Sequence, residues 1–138
     1  MKKIKSLFLV TAIIYFQSCL FGAGLVEREV TENYWLFANG YLHEMSLWYH
    51  PDDDNSTIVV DETVFAVGYD DDFIIAKSHP KDSINYINKE ITYYHIILRD
   101  KLPEYNHIKL TKSEFKSIGE TIGVPKNIEF TIIYSELE

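Results

Sequence analysis

The chain has 138 residues, of which 46% are hydrophobic, 14% aromatic and 25% charged, and its formal net charge is -8. Its length allows one small domain, and its composition excludes intrinsic disorder, collagen-like repeats and a polytopic membrane protein. The negative charge disfavours nucleic acid and anionic lipid surfaces as partners and favours a cationic protein or a divalent cation, although acidity is also a common means of keeping a protein soluble.

The N-terminal residues have the layout of a signal peptide. A basic stretch over 1–5 is followed by an apolar run over 7–16, which is too short to span a bilayer alone. The only cysteine, Cys19, comes directly after Ser18. This arrangement resembles the lipobox of bacterial lipoproteins, in which a peptidase cuts before a lipid-modified cysteine. We therefore predict a lipoprotein-type signal peptide over 1–18, lipidation of Cys19 and a lipid-anchored protein of the bacterial cell envelope.

Two other outcomes are open for this N-terminus. The small residues at 22–24 form an ordinary cleavage site that would release a secreted protein, and an uncut segment over 7–24 would act as a single anchor. Gln17 and the glycines argue against the anchor. In each case, the lone cysteine excludes an intramolecular disulfide. We predict a tether over 19–31 and one domain over 32–138.

Most of the remaining chain alternates apolar and polar residues with a period of two and is rich in aromatic and β-branched residues, which is typical of strands. Asn39 and Gly40 favour a tight hairpin turn between the first two strands. A second hairpin is predicted around the turn at 70–72, with Gly68 marking a bulge or a close approach of another side chain. The predicted strands cover 34–38, 41–49, 57–60, 64–69, 73–77, 91–98 and 128–134.

The last third of the chain contains the signals of a helix. Thr111 and Glu114 have the spacing of a capping box, and Gly123 is placed to form a left-handed C-terminal cap. The predicted helix covers about 112–122 and packs an apolar stripe on the sheet. A shorter helical turn is predicted over 82–89. Together these elements predict an α+β fold, with a single antiparallel, meander-like sheet and one C-terminal helix packed on a face.

One long segment carries a family resemblance. The residues VFAVGYDDDFIIAKSHP, over 64–80, resemble a motif of a family of small uncharacterised bacterial proteins, often exported or lipoprotein-like, that share a domain of unknown function. The segment over 93–97 and the residues Leu110 and Phe115 are similar to later landmarks of that family. The resemblance covers about 33–130. It implies an exported single-domain protein, and it carries no activity because its motifs look like structural landmarks.

Two acidic turns are candidate cation sites. The acids at 52–54 and the run Asp70, Asp71 and Asp72 each supply several oxygens from one loop, as Ca²⁺ requires. The first turn lacks the spacing, the central glycine and the terminal glutamate of an EF-hand. Solvated turns are the simpler interpretation, because aspartate and asparagine occur freely in turns. A calcium-binding structural lipoprotein therefore stays an alternative function, and no resident metal or cofactor is predicted.

The five histidines are dispersed without the spacing of a zinc site. His79 and His95 are the most interesting pair, although a histidine bonded to backbone is the simpler interpretation of His95 in its apolar strand. A small hydrolase would combine His79 with the acids at 70–72 and with Ser78 or Ser83. The GxSxG elbow is absent, and neighbours on a strand point to opposite faces, so Ser78 and His79 are not expected to meet.

Aromatic residues suggest a binding face instead. Tyrosine and tryptophan side chains combine a large apolar area with a polar tip. Those in this chain either line a binding surface or belong to the core. The candidates are Trp35, Trp48, Tyr49, Tyr69, Tyr93 and Tyr94. The leading hypothesis is a non-catalytic binding module whose partner is a cationic protein, such as a basic toxin or a lysozyme-like enzyme that it inhibits or confers immunity against. Its candidate contacts are Asp70, Asp71, Asp72, His79 and His95.

Overall fold

The structure, a computed structural model, describes residues 25–52, 54–82 and 86–138. The predicted signal peptide, Cys19 and the first part of the predicted tether lie outside these residues. The strands described are β1 (Leu25–Thr31), β2 (Tyr34–Asn39), β3 (Ser46–Asp52), β4 (Asn55–Val60), β5 (Thr63–Tyr69), β6 (Phe73–His79), β7 (Tyr93–Leu98), β8 (His107–Leu110) and β9 (Ile132–Ile133). The helix α1 spans Lys112–Ile122, and short 3₁₀ helices span Leu42–Glu44 and Pro103–Tyr105. Neither α1 nor the other described helices are long and apolar enough to cross a membrane.

The strands form two antiparallel sheets, so the α+β class is confirmed and the predicted single sheet is wrong. The first sheet has the order β1-β2-β3-β4 and the second has the order β8-β7-β6-β5-β9. The chain crosses between them at 61–62, which the sequence indicated only as a break between strands. Two hydrogen bonds hold the crossing, from Val64 N–H to the Met45 carbonyl at 2.9 Å and from the Thr63 hydroxyl to the His43 carbonyl at 2.6 Å. Alternation identifies strands but does not identify their partners, which depend on such distant contacts.

The two sheets and the helix stack in three layers. Buried residues from both sheets form the main core between them, and these include Leu36, Leu47, Val64, Val67 and Ile74. On the far side of the second sheet, a smaller core packs against α1 and includes Phe73, Ile96, Leu110, Phe115 and Ile118. The second sheet is therefore covered on both faces, which explains the nearly continuous burial of β5 and β6. The first sheet is the outer layer.

The predicted helix over 112–122 is confirmed, together with both of its caps. Thr111 accepts a hydrogen bond from the Glu114 N–H, and the Glu114 carboxylate accepts one from the Thr111 N–H at 2.8 Å. Gly123 has a φ of 87°, in the left-handed region that glycine adopts without strain. These caps depend on neighbouring residues alone, which is why the sequence predicts them well.

Two boundaries near the start of the domain differ from the prediction. Residues 25–31 are not a tether, because they form β1 and pair with β2. Asn39 and Gly40 do not close a tight hairpin, because the chain continues through the 3₁₀ helix Leu42–Glu44 before β3 begins. This longer connection buries Met45 completely in the main core, and that burial outweighs the local turn preference.

Later boundaries differ as well. The last strand, β9, is limited to Ile132–Ile133 instead of 128–134, and β8 was not predicted. A helical turn was predicted over 82–89. Instead, Ile87 pairs with Lys81, just before this segment, as an isolated antiparallel bridge. Residues 83–85 lie outside the described residues. Short strands such as these are formed mainly by pairing with distant segments, so their sequences carry little local signal.

Gly68 accommodates a close approach of backbone. A Cβ at this position would lie 1.9 Å from the carbonyl oxygen of Glu129, far inside contact distance. The approaching group is therefore main chain, not the side chain that the sequence suggested, and the bulge of β5 lies between Val64 and Ala66 instead. The close approach lets the Thr131 N–H bond to the β5 backbone, and β9 pairs beside it.

Candidate functional site

The outer face of the first sheet carries a row of aromatic side chains. Burial alternates along β2, which leaves Trp35 and Phe37 pointing away from the core. On β3, Leu47 is in the core and Trp48 points outward, directly opposite Trp35 in the strand register. A shallow pocket on this face is lined by Glu27, Trp35, Phe37, Trp48, His50 and Ser56. We call these six residues the aromatic face.

The rings of the aromatic face are not core residues, and one of them is held in place. Trp35, Phe37 and Trp48 belong to neither hydrophobic core. The Trp48 indole N–H donates to Ser46 Oγ at 2.8 Å, and the Ser46 hydroxyl donates to the Phe37 carbonyl at 3.2 Å. The Phe37 and Trp48 rings meet edge to face, with centroids 6.0 Å apart and planes at 67°. A ligand would therefore meet a preorganised surface, which reduces the entropy lost on binding.

Carboxylates lie beside these rings. The register of β1 and β2 places Glu27 opposite Phe37 and Glu29 opposite Trp35, and both glutamates are exposed. Glu27 also lines the pocket. Indole rings attract cations through their faces more strongly than other aromatic side chains do. Aromatic rings next to a carboxylate are therefore suited to a lysine or arginine side chain.

Two lysines of this chain lie over aromatic rings elsewhere in the described structure, but not over the two tryptophans. The Lys77 ammonium lies 4.5 Å from the ring centre of Phe130, and the Lys109 ammonium lies 3.9 Å from that of Tyr93. Among residues 25–52, 54–82 and 86–138, no lysine or arginine lies over either tryptophan. Within the described part of the chain, the indole faces are therefore not covered by a cationic side chain.

The other aromatic candidates are dispersed. Tyr49 packs on Tyr34 at the main core, with ring centroids 5.1 Å apart. Tyr94 packs on Phe115 beneath α1, also at 5.1 Å, and Tyr69 is exposed on the second sheet. Of the six predicted residues, the structure brings together only the two tryptophans. Sequence reasoning missed Phe37 and Glu27, although the spacing of two from Trp35 was a usable signal for Phe37.

A second cluster is a chain of hydrogen-bonded polar groups inside the second sheet. Ser78 Oγ lies 2.7 Å from Glu62 Oε2 and 2.7 Å from His95 Nε2. His95 Nδ1 lies 2.7 Å from His107 Nε2. At the outer end, the Lys109 ammonium donates to the Glu62 carboxylate. We call Glu62, Ser78, His95 and His107 the polar relay.

The direction of each bond in the polar relay follows from the number of protons available. Glu62 accepts the single hydroxyl proton of Ser78, so His95 Nε2 must be the protonated nitrogen that donates to Ser78 Oγ. In neutral His95, Nδ1 is then the acceptor, and it receives a proton from His107 Nε2. All bonds point from His107 towards the Glu62 carboxylate. This is the reverse of a catalytic serine–histidine pair, in which the histidine accepts the serine proton.

Burial keeps the histidines of the polar relay neutral. Burial, with smaller contributions from the neighbouring His107 and Lys109, lowers the pKa of His95 from 6.5 to about 3. Burial also lowers the pKa of His107, against an opposing effect of Glu62. Ser78 itself is completely buried, so its hydroxyl is out of reach of a substrate. The polar relay therefore acts as an internal brace between β6, β7 and β8.

In the acidic turn at 70–72, the Asp70 carboxylate and two backbone carbonyls accept hydrogen bonds from other groups of this chain. The Asp70 carboxylate accepts hydrogen bonds from the backbone N–H groups of Asp72 at 2.9 Å and Phe73 at 2.7 Å. The Arg99 guanidinium donates to the backbone carbonyls of Asp70 and Asp71. The Asp52 carboxylate is used similarly by the Asn55 side chain and by backbone. Within the described ranges, no group of three or more histidine, cysteine, aspartate or glutamate residues is arranged to hold a metal ion.

His79 lies far from that turn. The turn precedes β6 and His79 ends it, and at about 3.3 Å per residue this separates them by roughly 20 Å. His79 is buried, stacks on Phe65 with ring centroids 4.3 Å apart, and places Nδ1 2.8 Å from the Ile91 carbonyl. Ser78 meets His95 and not His79, in agreement with their opposite faces on the strand. His79, Ser78 and the acids at 70–72 are therefore not brought together, and Ser83, the other predicted serine, lies outside the described residues.

Comparison with known proteins identifies a family. Residues 31–136 match the model of a family described as "Protein of unknown function (DUF3997)". This match covers most of the chain, so the chain belongs to that family. No curated protein and no solved structure matches the chain.

Proposed function

We propose that this member of the DUF3997 family is a non-catalytic binding module that holds a cationic protein on its aromatic face. The observation that carries the proposal is the pair Trp35 and Trp48, which lie outside both cores, beside Glu27, without a lysine or arginine of the described chain over them. A partner's lysine or arginine would lie over an indole and beside the carboxylate.

The charge of the whole chain supports the same partner. A net charge of -8 attracts basic proteins over long range and repels nucleic acid, and removal of the lysine-containing residues 1–18 would make the mature chain more acidic still. A basic toxin or a lysozyme-like enzyme is a partner of this chemistry, and the module would act as its inhibitor or immunity protein. The complete burial of Ser78 and the direction of the polar relay support a role without catalysis.

Replacing Trp48 with alanine is expected to weaken binding of a basic protein by about ten-fold or more, because one cation–π contact and its buried ring area are lost. Glu27→Gln is expected to have a smaller effect and to reduce the dependence of binding on salt. The measurement is a fluorescence titration with purified lysozyme-type and other basic proteins. The chain has two tryptophans, and both lie on the aromatic face, so with a basic partner that lacks tryptophan the emission reports on this surface directly.

The matched control is Tyr105→Ala, which removes an aromatic side chain that is 81% exposed and lies outside the aromatic face. It should leave affinity and salt dependence unchanged. An acidic protein of similar size should give no change in tryptophan emission. If every basic protein leaves the emission unchanged, or if Trp48→Ala and Tyr105→Ala bind equally well, the proposed function is wrong.

The proposal includes a location at the bacterial envelope. It is supported by the basic stretch over 1–5, the apolar run over 7–16 and the position of Cys19 immediately after them. Lipid chains on Cys19 would hold the module at a membrane, since each buried methylene contributes about 0.8 kcal/mol. A secreted form, cut near Gly24, is the competing possibility.

The mass of the mature protein tests this location. We expect protein recovered from membranes to carry a lipid-sized increase in mass, and the Cys19→Ala variant to lack that increase. An unmodified chain in the medium that begins near residue 25 would overturn the lipid anchor and leave the binding activity to be tested separately.

A further inference from the structure

The strand β4 is an open edge of the first sheet. It pairs with β3 on one side, and the described part of the chain places no strand on its other side. Its sequence, NSTIVV, contains no charged residue and no proline. Sheet edges in soluble proteins usually carry such residues, which prevent pairing with other chains.

The other edges of the described sheets are protected. The strand β1 carries Glu27, Arg28 and Glu29 in its middle, β8 carries Lys109, and β9 has only two residues. The register shifts of β4 fall on either side of Thr57 and Ile58, which pair regularly with Tyr49 and Trp48. The open edge is therefore regular at its centre, where an added strand would pair.

This edge is continuous with the aromatic face. Ile58 lies directly opposite Trp48, and Ser56 lines the same pocket. Ile58 is 42% exposed although it is a large apolar residue. A strand added beside β4 would place every second side chain on the face that carries Trp48. One extended segment would thus contact both the edge and the aromatic rings.

Carboxylates stand at both ends of this edge. Asp52 and Asp54 are exposed just before β4, and Asp61 is exposed just after it. Hydrogen bonds from the Asn55 side chain and from the Asp54 N–H hold the pKa of Asp52 below its ordinary value, so this carboxylate stays charged. Two copies of the chain that paired antiparallel through β4 would bring these acids together and repel each other. A basic segment is favoured instead.

We infer that β4 receives an extended, basic segment of the partner protein as a fifth strand of the first sheet. The inference rests on the proposed function, because it names the form in which a cationic partner reaches the aromatic face. Main-chain hydrogen bonds to β4 would provide affinity, and lysine or arginine at alternate positions would reach the indole of Trp48, which lies two strands away in the sheet order.

A short synthetic peptide of alternating lysine and valine is the probe. Fluorescence titration should show binding of this peptide, and much weaker binding of a version with a methylated backbone and of a version with glutamate in place of lysine. Hydrogen exchange of the wild-type protein should slow at backbone N–H groups of Asn55–Val60 when the lysine peptide is present. Unchanged exchange at these groups, or no binding at millimolar peptide, overturns the inference.

Proline variants test the edge itself. N–H groups of successive residues on a strand point to opposite sides, so one of Thr57→Pro and Ile58→Pro breaks a bond to β3 and the other removes an N–H on the open side. The variant that keeps the wild-type melting temperature should lose peptide affinity by about ten-fold. Thr57→Ala and Ile58→Ala control for the lost side chains.

The outcomes separate this inference from the proposed function. If the stable proline variant binds like wild type while Trp48→Ala does not, strand addition is wrong and the proposed function stands. If neither variant changes the binding of basic proteins, both are wrong. A dimer in sedimentation experiments that disappears in the stable proline variant would make a second copy of the chain the occupant, and it would overturn the inference.

Discussion

Replacing Gly68 with alanine is expected to destabilise the protein by about 3 kcal/mol, the upper part of the range for overpacking a well-packed site. The added methyl group would lie 1.9 Å from the Glu129 carbonyl oxygen and 2.7 Å from its carbonyl carbon. These are backbone atoms, so a change of side-chain rotamer cannot relieve the clash. The segment that contains Glu129 and Thr131 must therefore move away from β5, which breaks the hydrogen bond from the Thr131 N–H to the Val67 carbonyl.

Gly119→Ala is the matched control, with an effect of opposite sign. Gly119 lies inside α1, and a Cβ there would meet Val124 and Ile96 at 3.7–3.9 Å, which is ordinary contact. Alanine should stabilise the helix by roughly 0.5–1 kcal/mol. Urea unfolding followed by circular dichroism measures both variants. Equal stability of Gly68→Ala and wild type would contradict the close packing of this segment on β5.

The difference between the helix and the sheets explains how far the sequence predicts this fold. The helix begins after Thr111 and ends before Gly123 because of hydrogen bonds and backbone angles that involve only nearby residues. Such caps can be predicted from the sequence. The number of sheets depends on which strands meet. At 61–62 the chain leaves one sheet for another, and the bonds that hold it there come from residues of the distant 3₁₀ connection.

The strand β1 was missed for a related reason. Its sequence, LVEREVT, has charged residues at three successive positions, which is a weak strand pattern. It is a strand because it pairs along β2 and buries Val30 in the main core. As an edge strand, it keeps its central charges in solvent.

The candidate site was predictable only in part. Trp35 and Trp48 were identified as binding candidates by residue type, but their pairing depends on the register of β2 and β3. The polar relay was not predicted as a unit, because Ser78, His95 and His107 come from three strands and Glu62 comes from the crossing. Sequence reasoning selected His95 as a residue of interest without its partners.

The polar relay is expected to make the folded state sensitive to mild acid. The pKa of His95 is about 3 in the folded state, against an ordinary value of 6.5. Between these values the unfolded chain binds a proton that the folded chain excludes, so stability is complete only well above pH 6.5 and falls as the pH decreases through 6.5 towards 3. His95 alone should contribute a loss of about 1.4 kcal/mol between roughly pH 7.5 and 5.5. His107 should add to this loss, since burial lowers its pKa too.

His95→Gln tests the source of this effect, because glutamine keeps a polar side chain but does not titrate. We expect it to be less stable than wild type at neutral pH, by about 1–3 kcal/mol, since Ser78 and His107 lose a buried partner. Its stability should fall less steeply over the same pH interval, as measured by urea unfolding at a series of pH values. If His95→Gln retains the full slope instead, His95 is not the source of the acid sensitivity, and its burial does not exclude a proton from the folded state as its lowered pKa requires.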